Sequence, residues 1–268
     1  MRIVVPVKHV PDIHSDRQLT EDGRVARGAE DGTLNELDEN AVEAALQLVE
    51  ALGAEGRASS EVVALTVGPV ESEAALRKAY QLGVDTAVRV TDDAVAGSDV
   101  FGTARAVAAG IRRLAQDGPV DLVITGMAAL DGLGSVVPAL LSAELGLPQL
   151  ALAARLSVVD GVAEISRDLD GVTEVLTAPL PAVVSVTDHV NTPRYPNFKL
   201  IMAARTKDVT VWDLAELGLD PAEVGEGAAR ARVVSSGPRP PREPAEIVTD
   251  KGEGGVALAE YLIRNDLV

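Results

Sequence analysis

Short runs of β-branched and other apolar residues alternate with longer stretches whose apolar positions recur every three or four residues. Residues 3–7, 61–67, 86–90 and 121–125 read as strands. Residues 38–52 read as a helix, with Ala41, Ala45, Leu48 and Leu52 on one face and Gly53 just past its end. Three more helices are predicted over 71–82, closed by Gly83, over 99–116, with Ser98 as candidate cap, and over 135–145, stopped by Gly146 and Pro148. Residues 12–34 are polar and Gly-rich, a long loop or irregular hairpin. Strand–helix alternation at this spacing predicts parallel pairing with right-handed crossovers, hence an α/β fold built on a doubly wound, mainly parallel sheet.

Beyond residue 150 the texture changes. Stretches 150–159, 162–168, 172–177 and 182–187 are β-rich, with Asp160-Gly161 and Asp170-Gly171 as hairpin signals. They predict antiparallel strands that extend the same sheet. Residues 188–212 look irregular, and 221–244 are rich in Gly, Pro and Arg, an extended arm before a final helix over 256–265. That helix has little core of its own, so it is expected to pack on a partner or wrap the body. The division is a nucleotide-binding domain over 1–220 and a C-terminal arm over 221–268.

Composition narrows the chemistry. The chain of 268 residues has no Cys and only His9, His14 and His189, which excludes a thiolate metal site, an iron–sulfur cluster and a Cys nucleophile and leaves no His pair at metal-binding helical spacing. A net charge of −17 argues against nucleic acid as a partner. No run approaches the roughly 20 apolar residues of a membrane span, and the start lacks a signal-peptide pattern, so a cytoplasmic protein without membrane insertion is expected.

In a doubly wound sheet, ligands sit beyond the carboxyl ends of the strands. Three segments fall there: 5–8, 67–69 and 125–135. The last places Gly126, Gly132 and Gly134 just before a helix, where backbone N–H groups favour a phosphate; it is equally an ordinary tight βα loop. Its spacing is neither GxGxxG nor GxxxxGK[ST]. Lys8 is an anion contact or a solvated strand-end residue, and Asp131 a ribose ligand or a turn cap. Residues 189–207 contain no acid but carry Arg194, Lys199, Arg205 and Lys207 together with Tyr195 and Phe198. Such a segment suits docking of an acidic partner, with an apolar anchor and a charged rim. The alternative is a loop folded on its own surface with Arg194 and Tyr195 inside.

Residues 181–207, with Pro-Arg-Tyr and Ile-Met-Ala-Ala-Arg, resemble the signature of the electron-transfer flavoprotein β subunit. So do Val-Pro-Val-Lys-His-Val-Pro-Asp over 5–12, the stretch 34–43, Val67-Gly68-Pro69 with Arg77, Gly83 and Asp85, and Gly126 through Gly132. The resemblance covers nearly the whole chain. It implies a Rossmann-like domain, half of a heterodimer whose α subunit holds most of the FAD, with a structural AMP in the β chain. It also implies electrons collected from acyl-CoA dehydrogenases and passed to a membrane electron transfer flavoprotein–quinone oxidoreductase, and a carrier rather than an enzyme. Position by position, AMP would be enclosed by Pro6, Asn35, Glu36, Leu37, Asp38, Val67 and the loop Gly126, Met127, Ala128, Ala129, Leu130, Asp131, Gly132, Leu133, Gly134, Ser135, Val136 and Val137.

Ile13 and Leu37 match positions that approach the flavin, Asp168 an acid that pairs with the mobile FAD domain, and Phe198 an apolar anchor framed by Arg194 and Lys199. Many relatives read Asp-Gly-Asp-Thr-Ala-Gln-Val-Gly where this chain has residues 131–138, so Gly134 and Val136 replace two polar side chains. Phosphate binding would then rest on backbone N–H groups and Ser135. The alternatives are a bifurcating or nitrogen-fixation-type β subunit with FAD in place of AMP, and a stand-alone adenine-nucleotide-binding domain.

Overall fold

The computed structural model describes residues 1–15, 18–28, 31–237, 240–242, 245 and 247–268. They form two compact units, Met1–Val234 and Ser235–Val268. In chain order the first unit begins with β1 (Arg2–Pro6), β2 (His9–Pro11), β3 (Gly32–Leu34), α1 (Glu36–Glu50), α2 (Gly53–Ala58), β4 (Glu61–Val67) and α3 (Glu73–Leu82). There follow β5 (Thr86–Val90), α4 (Val100–Gln116), β6 (Leu122–Gly126), α5 (Val137–Leu145), β7 (Gln149–Ala153), β8 (Arg155–Val159), β9 (Val162–Leu169) and β10 (Val172–Pro179). The unit closes with β11 (Ala182–Val186), α6 (Phe198–Ala204), β12 (Thr210–Trp212) and α7 (Gly225–Ala228); the second unit holds α8 (Gly254–Arg264).

Seven strands make one parallel sheet in the order β12-β5-β4-β1-β6-β11-β7. Its central strands are apolar throughout because both faces are covered. Alternate residues of β1 serve opposite sides: Ile3 and Val5 join the core under α1 and α3, whereas Val4 joins the core under α4 and α5. The chain runs outward from β1 through β4 to β5, then returns to β6 on the other side of β1. The reversal between β1 and β6 opens a crevice at their carboxyl ends.

The hairpin strands do not lengthen this sheet. β8, β9 and β10 form a separate antiparallel sheet, while β11 returns to pair in parallel with β6 and β7. The strand predicted over 150–159 is broken at Ala154, after Leu152 adopts a left-handed φ of 63°. One face of the small sheet, with Leu156, Ala163, Ile165 and Ala178, packs on the core under α1, and its other face leaves Val159, Val162 and Val175 exposed.

Residues 188–212 are more ordered than their pattern suggested. Asn197 accepts the Leu200 N–H to start α6, and β12 completes the sheet beside β5. Asp99, not Ser98, caps α4; Ser98 Oγ instead accepts the Gly225 N–H. Residues 221–234 belong to the first unit, held partly by Asp99 Oδ2, which accepts the Arg230 and Ala231 N–H groups. Parts of the expected 12–34 loop (16, 17, 29, 30) and arm (238, 239, 243, 244) lie outside the described residues. Among the described residues no helix is long and apolar enough to cross a membrane.

Candidate functional site

The crevice between β1 and β6 is organised by the start of α1. Asn35, fully buried, precedes the helix and donates from Nδ2 to the Ala128 carbonyl (2.9 Å), while its Oδ1 accepts the Leu130 N–H (3.0 Å). One turn on, Asp38 Oδ2 accepts the Lys8 N–H at 2.9 Å. Gly126 lies so close that a Cβ there would stand 2.6 Å from the Leu37 carbonyl oxygen, so only glycine lets β6 meet α1. Burial pushes the Asp38 carboxyl up to about 7, although Asn35, Lys8 and Gly126 all donate towards it. Pro6, Val67 and Leu37 are half-buried around the same strand ends, and Ile13 is exposed.

Beyond Leu130 the loop turns outward. Leu133 and Ser135 hold left-handed φ values of 49° and 53°, at alternate positions. Consequently α5 starts at Val137 rather than at Ser135, with Pro138 in its first turn. Gly132 and Leu133 donate to the Ala129 carbonyl, but the N–H groups of Gly134, Ser135, Val136 and Val137 meet no acceptor among the described residues. Four open amides lie at the start of a nine-residue helix, where unpaired N–H groups favour an anion. Thr125 Oγ1 is buried at the carboxyl end of β6 with no hydrogen-bond partner among the described residues. An orphaned hydroxyl and open amides leave polar groups here that suit an anionic ligand.

Asp131 does not cap the following turn, since the Gly132 N–H goes to the Ala129 carbonyl; its carboxylate is held by two cations. Its side chain is buried, Lys8 Nζ donates to Oδ1 at 2.8 Å, and Arg27 pairs with Oδ2. Burial pushes this carboxyl up, but Lys8 and Arg27 more than offset that and hold it below the usual range. Lys8 is thus a pinned strand-end cation, and Arg27 is a site residue that sequence reasoning missed. On the hairpin sheet Asp168 is exposed and accepts from Thr173 Oγ1 at 2.6 Å.

The segment 189–207 divides in two. Tyr195 and Phe198 are 94% and 77% exposed, and Lys199 and Arg205 are also exposed. Arg194 instead points back to α1, with Nε 2.7 Å from Glu43 Oε2 and Nη1 2.8 Å from Glu50 Oε1. These two carboxylates raise its pKa. Lys207 Nζ donates to the Val84 and Asp85 carbonyls and lies 4.6 Å from the Tyr80 ring centroid. Two of the four cations are therefore spent within the chain.

Fold and site together define a doubly wound α/β protein with a candidate crevice at its topological switch point and an exposed aromatic surface segment. Residues 22–217 match the electron transfer flavoprotein domain. The chain is 43% identical over 267 residues to the electron transfer flavoprotein subunit beta of Mycobacterium tuberculosis, covering 99% of each. It is 30% identical over 249 residues to the caffeyl-CoA reductase-Etf complex subunit CarD of Acetobacterium woodii (93% of this chain, 92% of that one). Against protein FixA of Azotobacter vinelandii it is 30% identical over 265 residues (97% and 92%). The chain belongs to the electron transfer flavoprotein family, on the β-subunit side. It is a component of flavoprotein electron transport.

Proposed function

We propose that this chain is the β subunit of a heterodimeric, cytoplasmic electron transfer flavoprotein, a carrier component with no substrate turnover of its own. It binds AMP as a structural ligand, completes the FAD site of an α subunit, and docks acyl-CoA dehydrogenases, whose electrons pass on to a membrane quinone oxidoreductase. The observation that carries the nucleotide reading is the run of open amides from Gly134 to Val137 at the start of α5, beside the switch point. The AMP phosphate would take these N–H groups and the Ser135 hydroxyl. The rest of the nucleotide would lie along Pro6, Asn35–Asp38, Val67 and Gly126–Leu133. AMP supplies no redox chemistry; it fills the crevice and fixes the 126–137 loop.

Flavin contact falls to Ile13 and Leu37, and Asp168 on its exposed hairpin pairs with the mobile FAD domain. Docking rests on exposed Tyr195 and Phe198, with Lys199 and Arg205 at their edge. Co-expression with an α subunit tests the reading. The expected outcome is a stable one-to-one complex whose flavin is bleached by an acyl-CoA dehydrogenase and its acyl-CoA. Phe198→Ala should slow that bleaching about tenfold or more, as loss of a buried interface anchor does, with assembly and AMP content unchanged. Normal bleaching by Phe198→Ala would remove the anchor role.

A further inference from the structure

The polar side chains Asn40, Glu43, Gln47 and Glu50 recur on α1 at spacings of three, four and three, so they share one face. Helices with such a stripe ordinarily turn it to water. Here it faces residues 191–194. Asn40 Nδ2 donates to the Asn191 carbonyl at 3.1 Å, and Asn191 Nδ2 donates back to the Asn40 carbonyl at 3.0 Å. The Arg194 guanidinium then makes two forks: Nε and Nη2 to Glu43 at 2.7 and 3.2 Å, and Nη1 and Nη2 to Glu50 at 2.8 and 2.9 Å. The Arg194 main-chain N–H also donates to Glu43, so backbone and side chain are held by the same carboxylate. Glu43 is buried and takes a further hydrogen bond from Gln47. Pro193 and Pro196 restrict the backbone on either side.

A guanidinium bound by two carboxylates has little capacity left for a third, so Arg194 is a poor rim contact. Its geometry makes it a fastener. Tyr195, the next residue, projects into solvent at 94% exposure, and Phe198 follows three residues later at the start of α6.

We propose that Glu43 and Glu50 are positioning residues for partner docking, which latch Arg194 to α1 so that Tyr195 and Phe198 stand in a fixed conformation, ready to enter an apolar recess on the partner. The proposal rests on the docking reading given above. It assigns function to two acids outside the segment that binds, and it withdraws Arg194 from the contact surface. The latch pays ordering entropy before binding, which favours affinity without adding a contact.

The test uses the full heterodimer with its α subunit, and an acyl-CoA dehydrogenase reduced by its acyl-CoA as probe. Glu43→Gln and Arg194→Ala should each raise the KM for the flavoprotein about five- to tenfold with kcat and flavin content unchanged. The double variant should be no worse than either single one, because both remove the same latch. Glu50→Gln, at the exposed end of α1, should give a smaller rise without threatening the fold. The ionic-strength dependence should not change in Arg194→Ala. Hydrogen exchange of the amides at 191, 192, 194, 195 and 197 should quicken in all of these variants.

If Arg194→Ala flattens the salt dependence while Glu43→Gln leaves KM unchanged or lowers it, Arg194 is a direct contact and the latch is overturned. If the unmutated heterodimer is not reduced by the dehydrogenase at all, the docking reading fails. The latch itself then stands or falls on whether exchange at those amides quickens in Glu43→Gln.

Discussion

Asp38 carries opposing demands. Its carboxyl ties α1 to the Lys8 backbone at the crevice, yet it is buried. In the unfolded chain it ionises near 3.8, and in the folded chain near 7. Between those values the folded state keeps a proton that the unfolded state has lost. Stability should therefore fall as pH rises from about 4 to about 7 and level off above, by on the order of a few kcal/mol. Urea unfolding across that range checks this: Asp38→Asn should remove Asp38's share and make the slope less negative, and an unchanged slope would place its origin elsewhere. Asn35 behaves differently, being neutral and matched at both ends of its amide. Which partners a polar residue meets cannot be read from spacing. The sequence left Asp131 as a ribose ligand or a turn cap; its partners Lys8 and Arg27, more than a hundred positions away, were not legible there.

At the scale of elements, caps and local backbone decide where the prediction and the structure part. Asp99 Oδ1 accepts the Phe101 and Gly102 N–H groups as the cap of α4, and its Oδ2 accepts those of Arg230 and Ala231. Burial pushes this carboxyl up, but the four N–H groups outweigh it, and its pKa lies below the usual value. Its share of stability is complete above the unfolded value and is lost on acidification, the reverse of Asp38. Asp99→Ala should cost about 1–2 kcal/mol in thermal or urea unfolding at neutral pH. It should also quicken hydrogen exchange at 230 and 231. A loss of stability with exchange there unchanged would limit Asp99 to capping. The parallel strands were legible because burial on both faces leaves uninterrupted apolar runs such as residues 3–5 and 62–65. The break at Ala154 was not, because it depends on a left-handed Leu152 that no turn residue announces. The role of the polar stripe of α1 was not legible either, since its partners Asn191 and Arg194 lie about 150 residues further on.

Over the whole molecule, a net charge of −17 first singled out residues 189–207 as a basic docking rim. With Arg194 and Lys207 engaged within the chain, the surface that remains pairs two exposed aromatics, Tyr195 and Phe198, with two exposed cations, Lys199 and Arg205. The same helix whose first turn holds the 126–130 loop holds this segment through its later turns. The proposed ligand crevice and the proposed docking surface thus share one support. The account turns on what fills that crevice. Acid release of the nucleotide from the purified chain, expressed without an α subunit, decides it: about one AMP per chain and no visible flavin absorbance are predicted. Stoichiometric FAD in the isolated chain would contradict the account and place the protein with the FAD-bearing alternative.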